Sequence, residues 1–403
     1  MRALLSMMFL CTSAPMLAQS HELRLDRERV VALAREQAPL VAMADARIGE
    51  ARAHRVGARS PVAVNPEVGI LVGPRVLASS IIVDAVATIT VPVDISGATS
   101  IRAREADQRT SSAEAEAQDV RRLAIGAALD AWIVAVGTEE RARLEQERGQ
   151  LDDDLYASTR IRRQAGTIGD LELQLAAVLK ADGAARRSRV EGEREVALLL
   201  LLGHLGLSPQ SQVRLAGTLE APSAPPLEDL LAKLSQRPDL ARTRIEMAVA
   251  QTDVGLQQHL GIPSPRFTAT GGRDNELFFR GGLDLPIPVY NRNQTARAVA
   301  AARRTTIALE YAQVAVRAEI ELRAAYASYL AAQRSCELLR AAAPAMADAE
   351  HLAIRAYELG QSTLPNLIVA RRETAATRQA YLEARVSVAR ARIALDAAAG
   401  ALP

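Results

Sequence analysis

The triplet Asp152, Asp153 and Asp154 in "LDDDLYA" puts three carboxylates within one turn of a helix, and Asp348 stands 194 residues beyond Asp154. Acids at that density draw cations only if several copies gather around an axis; otherwise they form a solvated helix face. Little else in the chain collects chemistry. The five histidines, His21, His54, His204, His259 and His351, are scattered, with no pair at helical spacing and no H-E-x-x-H. His351 beside Glu350 offers at most a weak metal contact, and the plainer reading is again a solvated face. There is no C-x-x-C, no phosphate-cradling P-loop and no G-x-S-x-G. The residues therefore predict no enzyme, no cofactor and no metal site.

Composition agrees with a different kind of protein. Aromatics are 3% of 403 residues, so long helices packed through alanine fit better than an aromatic-lined pocket. A formal net charge of +2 gives no pull toward nucleic acid. Residues 1–18, with Arg2, an apolar run from Ala3 to Leu10 and small residues near Ala18, read as a secretory signal peptide. Cys11 lacks the small residues that precede a lipid-attachment site. Removal of the signal leaves Cys336, read as a small buried apolar side chain. "AIGAALDAWIVAVG" and "VALLLLLGHLGL" are too short to span a bilayer as helices. An exported protein of this kind is periplasmic, secreted, or inserted as a β-barrel.

The elements that would position any site occur twice. Pro92 in "TVPVDISG" and Pro286 in "DLPIPVYN" are 194 residues apart, as are Gly166 and Gly360, and Gly206 and Gly400. Pro39 and Pro238 stand 199 apart, so a five-residue difference falls upstream of the strands. Such spacing marks a duplication: a first repeat at 19–220, a Pro-rich linker at 221–227, and a second repeat at 228–403. Each is expected to contain a short helix (27–59; 228–259), two strands (62–72 and 81–93; 266–272 and 277–289) and a very long helix (99–163; 295–358). The chain should then break at Gly166 or Gly360 and return as a second helix, ending near His204 or Ala399.

Two periodicities support this. Ala113, Ala117, Val120, Ala124, Ala127, Ala131 and Val134 alternate spacings of four and three, as do Leu367, Ala370, Thr374, Thr377, Tyr381, Ala384, Val388, Ala391, Leu395 and Ala398. That is a coiled-coil seam, with alanine permitting close approach. The strands alternate instead. Val83, Ala85, Ala87, Ile89 and Val91 share a face opposite Asp84, Thr88 and Thr90, and Phe279, Gly281, Leu283, Leu285 and Ile287 share one opposite Arg280 and Asp284. One apolar and one polar face suit either a membrane barrel or a half-buried soluble hairpin. Four strands cannot close a barrel alone, so membrane insertion requires several chains to share one.

With these features in place, "LPIPVYNRNQTARAVAAARR" and "YELGQSTLPNLIVARRETAATRQAYLEARVSVARARIALDAAAG" resemble the TolC-like outer-membrane efflux proteins. Pro286, Pro288, Asn291, Arg292, Asn293 and Gln294 are similar to the CzcC- and CusC-type branch, which serves heavy-metal pumps of the resistance-nodulation-division class. The resemblance implies a mainly α fold with a small β part. It also implies a homotrimer whose 12-stranded β-barrel crosses the outer membrane lipid and continues as an α-helical tunnel toward a periplasmic adaptor and an inner-membrane pump. The expected function is a passive exit duct, with divalent heavy-metal cations as cargo and drugs or other small molecules as the alternative. A soluble periplasmic coiled-coil adaptor is the competing reading, against which two hairpins and two strand pairs speak. Thr295 replaces the usual glycine of this branch, and the first repeat keeps only Gly97 of the corresponding turn.

Three surfaces follow. Gly166, Thr167, Gly360, Gln361 and Ser362 would form the adaptor-docking tip, with the glycines ending one helix and Thr167, Ser362 or Thr363 capping the next. Asp152, Asp153, Asp154 and Asp348 would ring the tunnel entrance. Pro92, Gly97, Pro286, Pro288 and Asn291 to Gln294 would form the barrel-to-tunnel junction, with Leu283, Leu285 and Ile287 facing lipid.

Overall fold

The computed structural model describes residues 23–60, 65–77, 80–220, 222–274 and 276–402. The expected signal peptide and Cys11 lie outside them. The first repeat begins with β1 (Leu23–Leu25), α1 (Arg27–Gln37) and α2 (Pro39–Ala58). A hairpin, β2 (Glu67–Leu77) and β3 (Ser80–Pro92), leads into α3 (Ala98–Gln164), α4 (Asp170–Leu205) and β4 (Val213–Leu215). The second repeat runs α5 (Leu227–Lys233), a 3-10 turn (Leu234–Gln236), α6 (Pro238–His259), β5 (Arg266–Asp274), β6 (Glu276–Asp284), α7 (Gln294–Glu358) and α8 (Leu364–Ala398). At about 1.5 Å per residue, α3 and α7 are rods of roughly 100 Å. No helix among the described residues is long and apolar enough to cross a membrane.

Proline corrects the expected single short helix in each repeat. Pro39 and Pro238 each occupy the first turn of a helix and end the one before, because their rings supply no N–H to the preceding turn. Each break then packs on the glycine turn that ends its own repeat's hairpin. A methyl group on Gly206 would meet the Gln37 carbonyl at 2.6 Å, and one on Gly400 would meet Arg237 Cγ at 2.9 Å. Both glycines are left-handed, with φ of +69°. The pairs of matched positions found by counting residues are thus matched contacts.

Helices α3 and α4 form one antiparallel hairpin, and α7 and α8 the other. The main core lies where α1, α3, α4 and α8 meet, around Val30, Leu33, Ile125, Leu129, Trp132, Leu201 and Ile393. Two buried arginines close the C-terminal end of α8, whose last carbonyls lack helical partners. Arg122 Nη1 donates to Ala397 O at 2.5 Å and Arg237 Nη1 to Ala398 O at 2.9 Å. The seam of α8 holds: none of its ten positions is exposed. That of α3 shifts. Ala117 and Ala124 are buried as expected, but Ala127 is exposed, and the buried line continues through Ala128 and Ala135. Bulky Ile125, Leu129, Trp132 and Ile133 turn that stretch toward the central core and rotate the alanine line by one residue.

Candidate functional site

All four long strands join one antiparallel sheet in the order β2-β3-β5-β6. The two repeats meet at β3 and β5, with Thr88 opposite Thr270 and their hydroxyls 3.2 Å apart. Strands β2 and β6 are edges without partners among the described residues. Register carries the alternating pattern across the sheet: Val68, Ile70 and Val72 align with Ile89, Ala87 and Ala85, then with Ala269, Gly271 and Arg273, then with Gly281, Phe279 and Leu277. This face is open. Ile70 is 71% exposed, Phe279 80% and Leu277 88%. The opposite face, with Asp84, Thr88, Thr90, Thr268 and Thr270, is the more sheltered, and its Arg75–Asp84 ion pair spans 2.7 Å.

The strands also revise two boundaries. β2 runs on to Leu77 rather than ending at 72. β6 ends at Asp284, short of the expected 289, since Pro286 and Pro288 have no N–H for a ladder. Leu285 and Ile287 are exposed but lie beyond the strand, in the connection to α7.

The two strand-to-helix junctions are built differently. In the first, Asp94 accepts hydrogen bonds from Ser96 N and Oγ (2.9 and 2.7 Å) and from Thr99 N and Oγ1 (3.0 and 2.7 Å). Led by the Ser96 bond, these hold its carboxyl far below the usual range despite partial desolvation. Gly97, at φ +75°, turns the chain into α3. In the second, Asn293 adopts φ +59°, Asn291 Oδ1 accepts from Asn293 N at 3.0 Å, and Gln294 Oε1 accepts from Arg292 N at 2.7 Å. Arg292 Nε donates to Pro288 O at 3.1 Å. Both junctions are tied to α6, through His259 Nδ1 to Ser96 O (2.6 Å) and Asn293 Nδ2 to Gln257 O (2.8 Å). Asp94 escaped the sequence reading, although an acid two and five residues before Ser and Thr at a helix start is a capping signal.

The helical breaks lie together. Leu155, Tyr357, Leu364 and Leu367 form one buried cluster drawn from both hairpins, and the Arg162 guanidinium sits 5.1 Å from the Tyr357 ring centre. Gly166 and Gly360 have φ of +74° and +72°, with nothing near an added Cβ. Thr167, however, caps backward: its N and Oγ1 both donate to Arg162 O (3.0 and 2.9 Å). Gln361 N and Ser362 N likewise return to Ala356 O (2.8 and 3.1 Å). Neither α4 nor α8 has a side-chain cap, because the tight turns direct these groups to the helix just ended.

The four acids separate. Asp152, expected on an exposed ring, is only 6% exposed; it is held between α3 and α4 by Arg186 Nη2 at 3.1 Å. Burial raises its pKa, against the pull of Arg186. Asp153 pairs with Lys180 at 3.1 Å and Arg187 at 3.5 Å. Gly149 and Gly183 make room for this network, since a methyl on Gly183 would stand 2.9 Å from Asp152 Oδ2. Only Asp154 and Asp348 remain exposed. His351 is exposed, and its neighbour Glu350 is paired with Arg378 at 3.1 Å. Among the described residues no cluster of three or more His, Cys, Asp or Glu could hold a metal. Cys336 is half-buried.

Residues 232–401 match the family described as outer membrane efflux protein. The cobalt-zinc-cadmium resistance protein CzcC of Cupriavidus metallidurans is 23% identical over 212 residues, which is 52% of this chain and 51% of that protein. The chain thus spans about half the length of that relative. The solved structure of CusC, concerned with folding and transmembrane channel formation, superposes with a TM-score of 0.76 at 17% identity, over 93% of this chain and 91% of that one. The Campylobacter jejuni CmeC outer membrane channel superposes at 0.79 and 16% identity, over 93% and 85%.

Proposed function

We propose, from the match of residues 232–401 to the outer membrane efflux protein family and the likeness of the fold to solved outer-membrane channels, that this protein is the outer-membrane exit duct of a tripartite efflux system. The observation that supports the reading is the sheet, whose apolar face is exposed and whose two edge strands have no partner among the described residues. In water that face is costly and those edges invite association. In a bilayer the face is at home, provided that β6 of one chain pairs with β2 of the next until the barrel closes. Three chains give 12 strands, and the hairpins below them give a helical tunnel through the periplasm.

Purified in detergent, the chain should run as a trimer in unheated gels and as a monomer after heating. A monomer under both conditions, freely soluble without detergent, would support the soluble-adaptor alternative instead.

Gly166, Thr167, Gly360, Gln361 and Ser362 form the adaptor-docking tip in this reading. Space around Gly360 is open, so a bulky residue there meets solvent, with only about 1–2 kcal/mol of left-handed backbone strain. Gly360→Leu is expected to keep the trimer and lose adaptor binding in a pull-down; normal binding would remove the tip from the docking surface. The acidic ring contracts to Asp154 and Asp348, whose contribution the bilayer recordings described below would also read. The likeness to CzcC supports divalent heavy-metal cations as cargo from a resistance-nodulation-division pump, with drugs and other small molecules the alternative.

A further inference from the structure

The polar face of the sheet contains one layered feature that neither the docking tip nor the acidic ring uses. Phe278 stands opposite Gly272 in the β5–β6 register, and a methyl added to Gly272 would lie 3.1 Å from the Phe278 ring. The ring thus fills the space that glycine leaves over the backbone. The Arg280 guanidinium lies over the same ring, 4.7 Å from its centre and within cation–π range. Arg280 is exposed, faces Thr270 across the strand pair, and makes no ion pair among the described residues. Two further arginines on this face each have an acid beside them: Arg75 has Asp84, and Arg266 has Asp284 directly opposite in register. The other acids on this face, Glu67, Asp274 and Glu276, stand at the ends of their strands, away from Arg280 at mid-strand.

The geometry points to Arg280 as a selectivity residue of the duct, held over Phe278 at mid-strand. This rests on the trimeric-barrel reading above, in which the polar face lines the bore and three copies of Arg280 form one ring. A ring of fixed cations opposes bare divalent cations and favours anionic or neutral cargo. A metal passing this ring would travel most readily as an anionic or neutral complex.

The test is the reversal potential of the full-length protein in planar bilayers under a KCl gradient. Arg280→Glu should raise the K⁺/Cl⁻ permeability ratio on the order of threefold at low salt, an effect that shrinks as salt is added. Arg280→Gln should shift it less in the same direction, and Arg280→Lys should leave it near wild type. If the glutamate variant fails to assemble, the glutamine variant decides alone. Normal conductance with an unchanged ratio in the charge-removing variants overturns the inference while leaving the duct intact. Absence of any conductance or trimer from the wild-type chain overturns the barrel reading itself.

Discussion

Replacing Trp132 with alanine is expected to destabilise the helical body by about 3–5 kcal/mol, the range for deleting a large buried aromatic. The side chain is 3% exposed and lies in the core shared by α1, α3, α4 and α8. Its indole Nε1 donates to Leu25 O at 3.1 Å, tying α3 to β1. The ring also covers Gly217, where an added methyl would come within 2.6 Å of it. Truncation therefore opens a cavity and removes one of the two hydrogen bonds that Leu25 O accepts, leaving only that from Ala216 N at 3.0 Å. Far-UV circular dichroism melting should show a drop of several degrees, and Trp132→Phe, which keeps most of the volume, should recover much of it. A melting temperature within a degree of wild type for the alanine variant would refute this placement of the core.

Arg237→Met is expected to cost a similar amount, about 3–5 kcal/mol at neutral pH, as for breaking a buried ion pair from one side. Arg237 is 4% exposed and donates from Nε and Nη2 to Asp239 at 3.0 and 2.7 Å, and from Nη1 to Ala398 O. Burial pushes the Asp239 carboxyl up, but hydrogen bonds and charge from Arg237 outweigh it and leave the pKa below its ordinary value. A depressed folded pKa contributes stability present above the unfolded value, near 4, and lost as pH falls through the folded one. Without Arg237, burial is opposed only by the Arg122 charge and the Leu240 N hydrogen bond, and the main causes of the depression are gone. The deficit of the variant should thus be largest at neutral pH and shrink as the solution is acidified toward pH 4. Thermal melts at several pH values check both size and slope; a deficit that is constant with pH would mean that Asp239 is not the group left stranded.

Much of this architecture is legible in the sequence because the duplication reads each element twice. Gly166 and Gly360 could be identified by their shared spacing, and their left-handed geometry then follows from the demand of a tight helix end. The strand faces were legible for a similar reason, since alternation of Val83, Ala85 and Ala87 against Asp84 and Thr88 needs only a pleat. What failed depended on partners from far along the chain. Asp152 reads as a surface acid until Arg186, 34 residues away on the returning helix, is seen to bury it. Ala127 fits the four-three rhythm, yet Trp132 and Ile125 anchor that turn elsewhere. Thr167 was assigned to the wrong helix because a hydroxyl between two helices can serve either, and only turn geometry decides.

The two long rods are not equal, and the inequality has a mechanical consequence. α3 has 67 residues and α7 has 65, a difference of about 3 Å in length. Yet their lower ends stay level enough for Leu155 and Tyr357 to share one cluster. The slack is taken up above, where residues 285–293 link strand to helix in the second repeat and the shorter segment 93–97 does so in the first. The duplicated halves behave as two legs of different length standing on one floor, levelled at the hip. The difference in rod length is absorbed at the boundary between sheet and helices, which leaves the two helical breaks side by side.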